Sequence, residues 1–168
     1  DIDGVATLGF RGEALASIGS VSRLTLISKT RDVNDANSVS VDNGSFLGVV
    51  PAAHRDGTTV EVRRLFGSMP ARKKFLKSPR SETAAISEVV RQVAIAHPEI
   101  GISFQSGNRT LQSYGVNDTC RQRALAVLGQ ELSRKIHDFD SILSEYRVSG
   151  VIGALCLYVP LKKFSNRI

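Results

Sequence analysis

An Asn-Gly pair at positions 43 and 44, preceded by Asp42, constrains the fold of this chain more than any other local signal. Asn-Gly between two extended runs is the strongest short-range indication of a β-hairpin. The runs on either side, 38–41 and 45–50, contain several valines and predict two neighbouring strands. The chain therefore contains a sheet to which this hairpin belongs.

Two helices are predicted from periodicity and from their end signals. Residues 12–18 form a short helical pattern, and Gly19 is placed to end it in a left-handed cap. Between residues 80 and 97 apolar residues recur at helical spacing, and Pro98 marks the expected end.

A third helix and five further extended segments complete the pattern. Thr119 and Gln122 predict a capping box for a helix that ends at Gly129. The extended segments are 21–29, 58–66, 101–105, 110–114 and 147–158. This mixed order predicts an α/β fold, in the form of an α+β two-layer sandwich with helices on one face of the sheet.

The composition excludes several classes of protein. Of 168 residues, 22 are Lys or Arg and 16 are Asp or Glu, a net charge of +6 that permits polyanion binding without identifying a ligand. The longest apolar run, 151–161, is shorter than the roughly 20 residues of a membrane span. We therefore expect no membrane contact.

The cysteines and histidines carry no recognisable chemistry. Cys120 and Cys156 lie far apart, without neighbours at metal-ligand spacing, and are expected to be small buried side chains in a reducing compartment. The histidines are isolated in the sequence: His54, His97 and His137. No metal ligand is predicted.

The first residue is Asp1 rather than Met, and no secretory signal pattern follows it. The chain is expected to be a fragment of a longer protein. Its expected location is cytoplasmic and nucleoid-associated in a bacterium, or nuclear in a eukaryote, and not secreted.

The segment Gly9-Phe10-Arg11-Gly12-Glu13-Ala14-Leu15 is the first candidate binding site. Its two glycines allow the backbone to approach a ligand closely just before a helix begins. The unpaired amides of that helix would face an anion such as phosphate, and Arg11 could add a charged contact. The alternative is a tight turn with a purely structural role.

The strand that begins Gly57-Thr58-Thr59 is the second candidate. Its glycine would admit a nucleotide near the strand start, and its two hydroxyls could hydrogen-bond a base or a bridging water. Threonine is also common in strands for its β propensity alone, so an ordinary strand is the alternative.

Taken together, these strings resemble the MutL family of mismatch-repair proteins, a branch of the GHKL ATPases. The matching strings are GFRGEAL at 9–15, GTTVEV at 57–62 and PARKKFL at 70–76. The resemblance is strong to about residue 100 and thinner beyond it. One departure is Arg64-Leu65-Phe66-Gly67-Ser68-Met69-Pro70, where the family usually has an acidic residue followed by LFYNxP.

The resemblance implies a domain organisation and roles for the motif residues. Residues 1–116 would be the C-terminal part of a GHKL ATPase domain, and 117–168 the start of a ribosomal-protein-like transducer domain. Gly9 to Leu15 would form the lid-proximal loop around the ATP triphosphate. Gly57, Thr58 and Thr59 would lie near the adenine, with Thr59 as the preferred contact. Glu13 could instead pair with Arg11 within the loop.

The resemblance also implies an activity. The intact parent would be a switch that binds ATP with Mg²⁺, dimerises and couples a MutS-type mismatch recognition protein to a repair endonuclease or helicase on DNA. The family's catalytic Glu, Mg-binding Asn and adenine-binding Asp precede GFRGEAL, so no catalytic residue is assigned and the fragment alone is not expected to hydrolyse ATP. Asp42-Asn43-Gly44 follows that motif and is assigned to a turn. Lys162 and Lys163 are not assigned to the γ-phosphate.

Basic residues are concentrated between positions 63 and 80, namely Arg63, Arg64, Arg72, Lys73, Lys74, Lys77 and Arg80. The basic run 72–77 within this stretch supplies the candidate DNA contacts, which are Arg72, Lys73, Lys74 and Lys77. A solvated charged face without a ligand is the alternative. Two other function classes remain open at this point, a different GHKL enzyme such as a topoisomerase subunit and a non-enzymatic nucleic-acid-binding fragment. A topoisomerase subunit would not be expected to combine GFRGEALASI with PARKKFL at this spacing.

Overall fold

A computed structural model of the chain describes residues 13–143 and 146–153. The chain divides into two compact units, Asp1–Lys77 and Ser78–Ile168. The predicted boundary between residues 116 and 117 is the point where the ATPase domain of the resembled family would end and its transducer domain would begin. Compactness does not test that assignment, so the boundary remains a prediction.

The first unit contains a four-stranded antiparallel sheet with the strand order β3-β2-β1-β4. Its strands are β1 (Arg23–Lys29), β2 (Ala36–Asp42), β3 (Ser45–Ala52) and β4 (Gly57–Arg63), and its helices are α1 (Glu13–Ser20) and α2 (Pro70–Lys73). Asn43 and Gly44 join β2 to β3 with φ values of 48° and 86°. These positive values are those of a tight hairpin turn, and the predicted hairpin is confirmed.

Strand β3 lies at one end of this sheet and departs from regular pairing. Gly48 pairs with Ser40 and Phe46 pairs with Val41, so Leu47 has no partner in β2. Gly48 has a φ of 102°, a conformation that favours glycine. The result is a β-bulge in the middle of β3.

The predicted left-handed cap at Gly19 is wrong. Gly19 lies inside α1, is buried, and has no positive φ. A Cβ atom added there would lie 3.3 Å from Val41 Cγ1 and 3.5 Å from Leu24 Cδ2. The glycine is therefore used because the helix approaches the sheet closely, and the backbone needs no unusual conformation.

Replacing Gly19 with leucine is expected to lower the free energy of unfolding by about 1–3 kcal/mol, because the added side chain must displace Val41 or Leu24. Urea unfolding followed by circular dichroism measures the change. Ala16→Leu, at an exposed position of the same helix, is the control and is expected to change stability by less than about 0.5 kcal/mol. Equal stability of the two variants would contradict close packing at Gly19.

Strand β4 ends three residues earlier than predicted. It stops at Arg63 because Arg64 and Phe66 have φ values of 52° and 55°, which lie outside the extended region of a regular strand. The turn that follows is held by hydrogen bonds of 2.8 Å from Phe66 N to Val21 O and from Gly67 N to Arg64 O. The chain therefore turns away from the sheet immediately after Arg63.

The second unit contains two helices and two hairpins. They are α3 (Pro79–Ala96), β5 (Ile102–Ser106), β6 (Arg109–Tyr114), α4 (Cys120–Leu128), β7 (Ile136–Leu143) and β8 (Tyr146–Gly153). Ser78 caps α3, and both hydrogen bonds of the predicted capping box between Thr119 and Gln122 are present. The helices and the β5-β6 pair confirm the predictions, whereas β7 was not predicted.

Arg123 of α4 is fully buried and organises this unit. Its guanidinium lies 2.7–3.1 Å from five backbone carbonyl oxygens and 2.9 Å from Asp118 Oδ2. The carbonyls belong to Ala94, His97, Pro98, Ile100 and Gly115. One side chain thus connects the end of α3, the segment before β5 and the end of β6 to α4.

Helices and antiparallel sheets together confirm the predicted α+β fold class. Within the described part of the chain, no helix is both long enough and apolar enough to cross a membrane.

Candidate functional site

The phosphate-side motif leads into α1, and only its second half is described. Glu13, Ala14 and Leu15 form the exposed first turn of the helix. Gly9, Phe10, Arg11 and Gly12 lie outside the described residues, as does the possible pair between Arg11 and Glu13. A carboxylate in the first turn interacts favourably with the helix dipole, which is consistent with a structural role for Glu13.

Helix α1 is fixed to the sheet at its C-terminal end. Ser22 donates a hydrogen bond of 2.7 Å from Oγ to Ile18 O, and the Gly44 amide donates one of 3.0 Å to Gly19 O. Together with the close approach at Gly19, these bonds place α1 on the sheet face that contains Leu24 and Val41.

The register of β4 determines which of its residues share that face. Val62 pairs with Leu24 and Val60 pairs with Leu26. Because side chains alternate along a strand, Thr58 lies on the same face as these valines, and Thr59 lies on the opposite face. Val60 and Val62 are 49% and 43% exposed, so this face is not closed over by the described residues.

The two threonines make different contacts. Thr58 Oγ1 shares a hydrogen bond of 2.8 Å with Ser28 Oγ. Thr59 Oγ1 shares one of 2.7 Å with His54 Nε2. The sequence alone favoured Thr59 as a nucleotide contact, but the register makes Thr58 the residue that faces the side of α1. Which threonine contacts a nucleotide remains a prediction.

Gly57 opens the strand with a φ of 123°, a value that favours glycine. A Cβ atom added there would have no atom of a described residue within 4 Å, so no described residue fills the space beside the strand start. The role of Gly57 in admitting a ligand remains a prediction.

The basic run continues from α2 and is exposed over its whole length, including Arg72, Lys73, Lys74 and Lys77. Phe75, in the middle of the run, is 86% exposed. Arg72, Lys73 and Lys74 make no ion pair with any described residue. The run combines the positive charges of Arg72, Lys73 and Lys74 with one exposed aromatic ring, and whether it binds DNA or is only solvated remains a prediction.

The polar face of the sheet contains a second group of charges, of which only Arg63 was assigned to the basic stretch from the sequence. Arg23 and Arg63 are direct partners across β1 and β4, and Glu61 Oε1 lies 2.7 Å from Arg63 Nη2. The hydrogen bond from Arg63 lowers the pKa of Glu61, and the charge of Arg23 contributes to the same shift. Glu61 therefore stays ionised to lower pH than a free glutamate.

Other predicted assignments have mixed outcomes. Cys120 is exposed at the start of α4, so its predicted burial is wrong, because its side chain projects from the helix start into solvent. Cys156, Lys162 and Lys163 lie outside the described residues. No group of three His, Cys, Asp or Glu side chains suited to a metal ion occurs among the residues that are described.

Solved structures define the class of fold. An ATPase domain of Aquifex aeolicus MutL complexed with ADP matches 77% of this chain with a TM-score of 0.69 and 29% identity, and the match covers 52% of that domain. The N-terminal domain of a DNA repair protein matches 88% of the chain with a TM-score of 0.67 and 26% identity, over 49% of its own length. The fold is that of MutL-type GHKL ATPase domains.

Sequence comparison agrees with this class. MutL of Bartonella bacilliformis is 41% identical over 158 residues, which is 94% of this chain and 26% of that protein. MutL of Chelativorans sp. is 53% identical over 110 residues, which is 66% of the chain and 18% of the relative. No family model matches. The chain belongs to the MutL family of DNA mismatch repair proteins, and it spans about a quarter or less of the length of these relatives.

Proposed function

We propose that the chain is part of an ATP-dependent switch that acts in DNA mismatch repair. ATP binding, with Mg²⁺, closes the loop at residues 9–15 and dimerises two copies of the protein, and hydrolysis reopens them. The proposal is supported by the similarity to MutL proteins and by a solved MutL ATPase domain that holds ADP. Its partners are DNA, a MutS-type mismatch recognition protein and a repair endonuclease or helicase.

The observation that carries the proposal is the position of α1 on the same sheet face as Thr58. The motif glycines, Gly9 and Gly12, precede this helix, and the amides and dipole of a helix start favour phosphate. Thr58 supplies a hydroxyl on the face where α1 packs, and Gly57 leaves open space beside it. The proposed nucleotide thus lies with its phosphates at α1 and its base towards β4.

Calorimetry with a nonhydrolysable ATP analogue and Mg²⁺, on the full-length protein that carries this sequence, tests the proposal. We expect saturation at one nucleotide per chain, accompanied by dimerisation in sedimentation velocity. A folded protein that binds no nucleotide would refute the switch and leave the non-enzymatic alternative, nucleic-acid binding.

Thr58→Val is expected to weaken nucleotide binding about 3- to 10-fold, because an isosteric change removes one hydrogen-bonding hydroxyl worth about 0.5–1.5 kcal/mol. Thr59→Val is the matched control. Its hydroxyl lies on the opposite face and contacts His54, so we expect unchanged affinity. Calorimetric titration of both variants gives the comparison. A loss confined to Thr59→Val would reverse the assignment of the two threonines.

A second candidate function, nucleic-acid binding without ATP-driven switching, is favoured by the exposed run around Phe75. Nonspecific binding to a nucleic-acid backbone weakens steeply with salt, whereas nucleotide binding saturates at a fixed stoichiometry. The two functions are therefore separated by the salt dependence of DNA binding and the stoichiometry of nucleotide binding.

A further inference from the structure

Two neighbouring cavities in the first unit are lined, among the described residues, by polar and charged side chains and one glycine. The first, of about 440 Å³, lies on the polar face of the sheet and is lined by Arg23, Thr25, Glu61, Arg63 and Arg64. The second, of about 420 Å³, is lined by Asn43, Arg64, Gly67, Ser68 and Lys73. Arg64 lines both cavities, so they adjoin at this residue.

The positive charge of these cavities exceeds what their carboxylates neutralise. Glu61 pairs with Arg63, and Asp42 lies 2.7 Å from Arg64 Nη2. The side chains of Arg23 and Lys73 have neither a hydrogen bond nor an ion pair with any described residue, although the charge of Arg23 also acts on Glu61. Two cations are therefore available for a negatively charged ligand, with one beside each cavity.

The placement of the arginines is costly for a sheet without a ligand. Arg23 is directly opposite Arg63 on β4, where like charges are destabilising, and opposite Asp42 on β2, whose carboxylate is paired with Arg64. Arg64 adopts a positive φ of 52°, which costs of order 1–3 kcal/mol in a residue that is not glycine. An anion bound between these side chains would offset both costs.

The chemistry of the lining selects phosphate groups over a whole nucleotide. Arginine, lysine, serine and asparagine side chains are the usual partners of backbone phosphates. Among the described residues, neither cavity is lined by an aromatic or aliphatic side chain on which a base could stack. Ser68 Oγ donates a hydrogen bond of 2.6 Å to Asn43 Oδ1, which holds the polar wall of the second cavity in place.

We propose that Arg23, Arg63, Arg64 and Lys73 form a binding surface for consecutive phosphate groups of a nucleic-acid backbone, with one phosphate at each cavity. We call these four residues the arginine surface. The inference relies on the proposed function only for the choice of DNA as the polymer. It differs from the basic run in that three of its four cations come from the sheet and its adjoining turn.

Salt-dependent binding of fluorescently labelled double-stranded DNA to the full-length protein tests the arginine surface. Fluorescence anisotropy between about 50 and 200 mM salt gives the slope of log affinity against log salt concentration. Arg23→Gln is expected to reduce the magnitude of that slope by about 0.9, the value of one lost phosphate contact. Arg64→Gln is expected to reduce it by less, because Asp42 already neutralises part of the Arg64 charge. Affinity should fall equally for unrelated DNA sequences.

Two further variants make the test specific. Arg31→Gln and Arg55→Gln remove the same charge from exposed positions of the same unit outside both cavities, and they are expected to leave the slope unchanged. Glu61→Gln frees Arg63 from its partner, so we expect it to strengthen DNA binding and steepen the slope. This opposite sign cannot arise from a general loss of folding.

The outcomes separate this inference from the proposed function. The arginine surface would be overturned if Arg23→Gln and Arg64→Gln gave the same slopes as the control variants. It would also be overturned if the wild-type protein did not bind DNA. Calorimetry with the ATP analogue tests the switch independently. A different result would be that inorganic phosphate or the ATP analogue competes with DNA and that Arg64→Gln loses binding of the analogue. That result would identify a site for free phosphate or nucleotide and would also overturn the arginine surface. Reduced slopes with unchanged analogue binding would support it.

Discussion

Replacement of Arg123 by methionine is expected to lower the free energy of unfolding of the second unit by about 3–5 kcal/mol, the usual cost of breaking a buried, hydrogen-bonded charge pair. The guanidinium is fully buried and its contacts include five backbone carbonyls. Methionine fills similar space but leaves those carbonyls and the Asp118 carboxylate without their donor. Guanidinium chloride unfolding of the full chain measures the loss.

Arg134→Met is the matched control, because Arg134 is exposed and lies eleven positions further along the same unit. We expect it to change stability by less than about 0.5 kcal/mol. A double variant, Arg123→Met with Asp118→Asn, removes the stranded carboxylate and should recover part of the loss. A cost below about 1 kcal/mol for Arg123→Met would show that water replaces the guanidinium at its acceptors.

Replacement of Gly12 by valine is expected to reduce nucleotide affinity at least about 100-fold and to abolish nucleotide-dependent dimerisation. In the proposed function, the backbone near Gly12 approaches the triphosphate closely, and a β-branched side chain prevents that approach. Each charged hydrogen bond from an amide to a phosphate contributes about 1.5–3 kcal/mol, so the loss of one or two accounts for the expected factor. Calorimetry and sedimentation velocity measure the two effects.

Ala16→Val controls for the introduction of a β-branched residue into α1, since Ala16 is exposed in the second turn of that helix. We expect wild-type affinity and dimerisation from this variant. A Gly12→Val protein that binds the analogue and dimerises normally would remove the glycine loop from the proposed site.

Local signals predicted the parts of the fold that local chemistry determines. The turn at Asn43 and Gly44, the helix before Pro98 and the capping box at Thr119 each depend on residues within a few positions of one another. Strand β7 was missed because its sequence, IHDFDSIL, does not alternate cleanly between apolar and polar residues. Its position is determined by pairing with β8, which a local pattern does not contain.

Tertiary contacts explain the remaining errors. Gly19 near a helix end has the sequence pattern of a cap, whereas its actual role depends on Val41, a residue of a different element. The end of β4 at Arg63 depends on positive φ values at Arg64 and Phe66. Arginine and phenylalanine rarely adopt such values, so these residue types did not predict the turn. The exposure of Cys120 likewise depends on how α4 is oriented within its unit.

For the candidate sites, too, the sequence predicted what local motifs determine and missed what depends on strand pairing. The motif strings were sufficient to recognise the family, which the relatives confirm. They did not determine which face of the sheet each threonine occupies, because that requires the register between β1 and β4. The sequence placed Arg63, Arg64 and Lys73 in one basic stretch but did not connect Arg23 with them, since Arg23 and Arg63 lie 40 positions apart and meet only by strand pairing.

The bulge in β3 has a consequence for the solubility of this protein. Phe46, Leu47, Val49 and Val50 form a short, apolar and uncharged segment, the composition that favours amyloid-like stacking, and all four side chains are exposed among the described residues. The bulge at Leu47 and Gly48 interrupts the flat ladder that an incoming strand would need. Pro51 has no amide hydrogen to donate to such a strand. The irregular backbone of β3 therefore hinders pairing of this exposed apolar strand with the same strand of another copy.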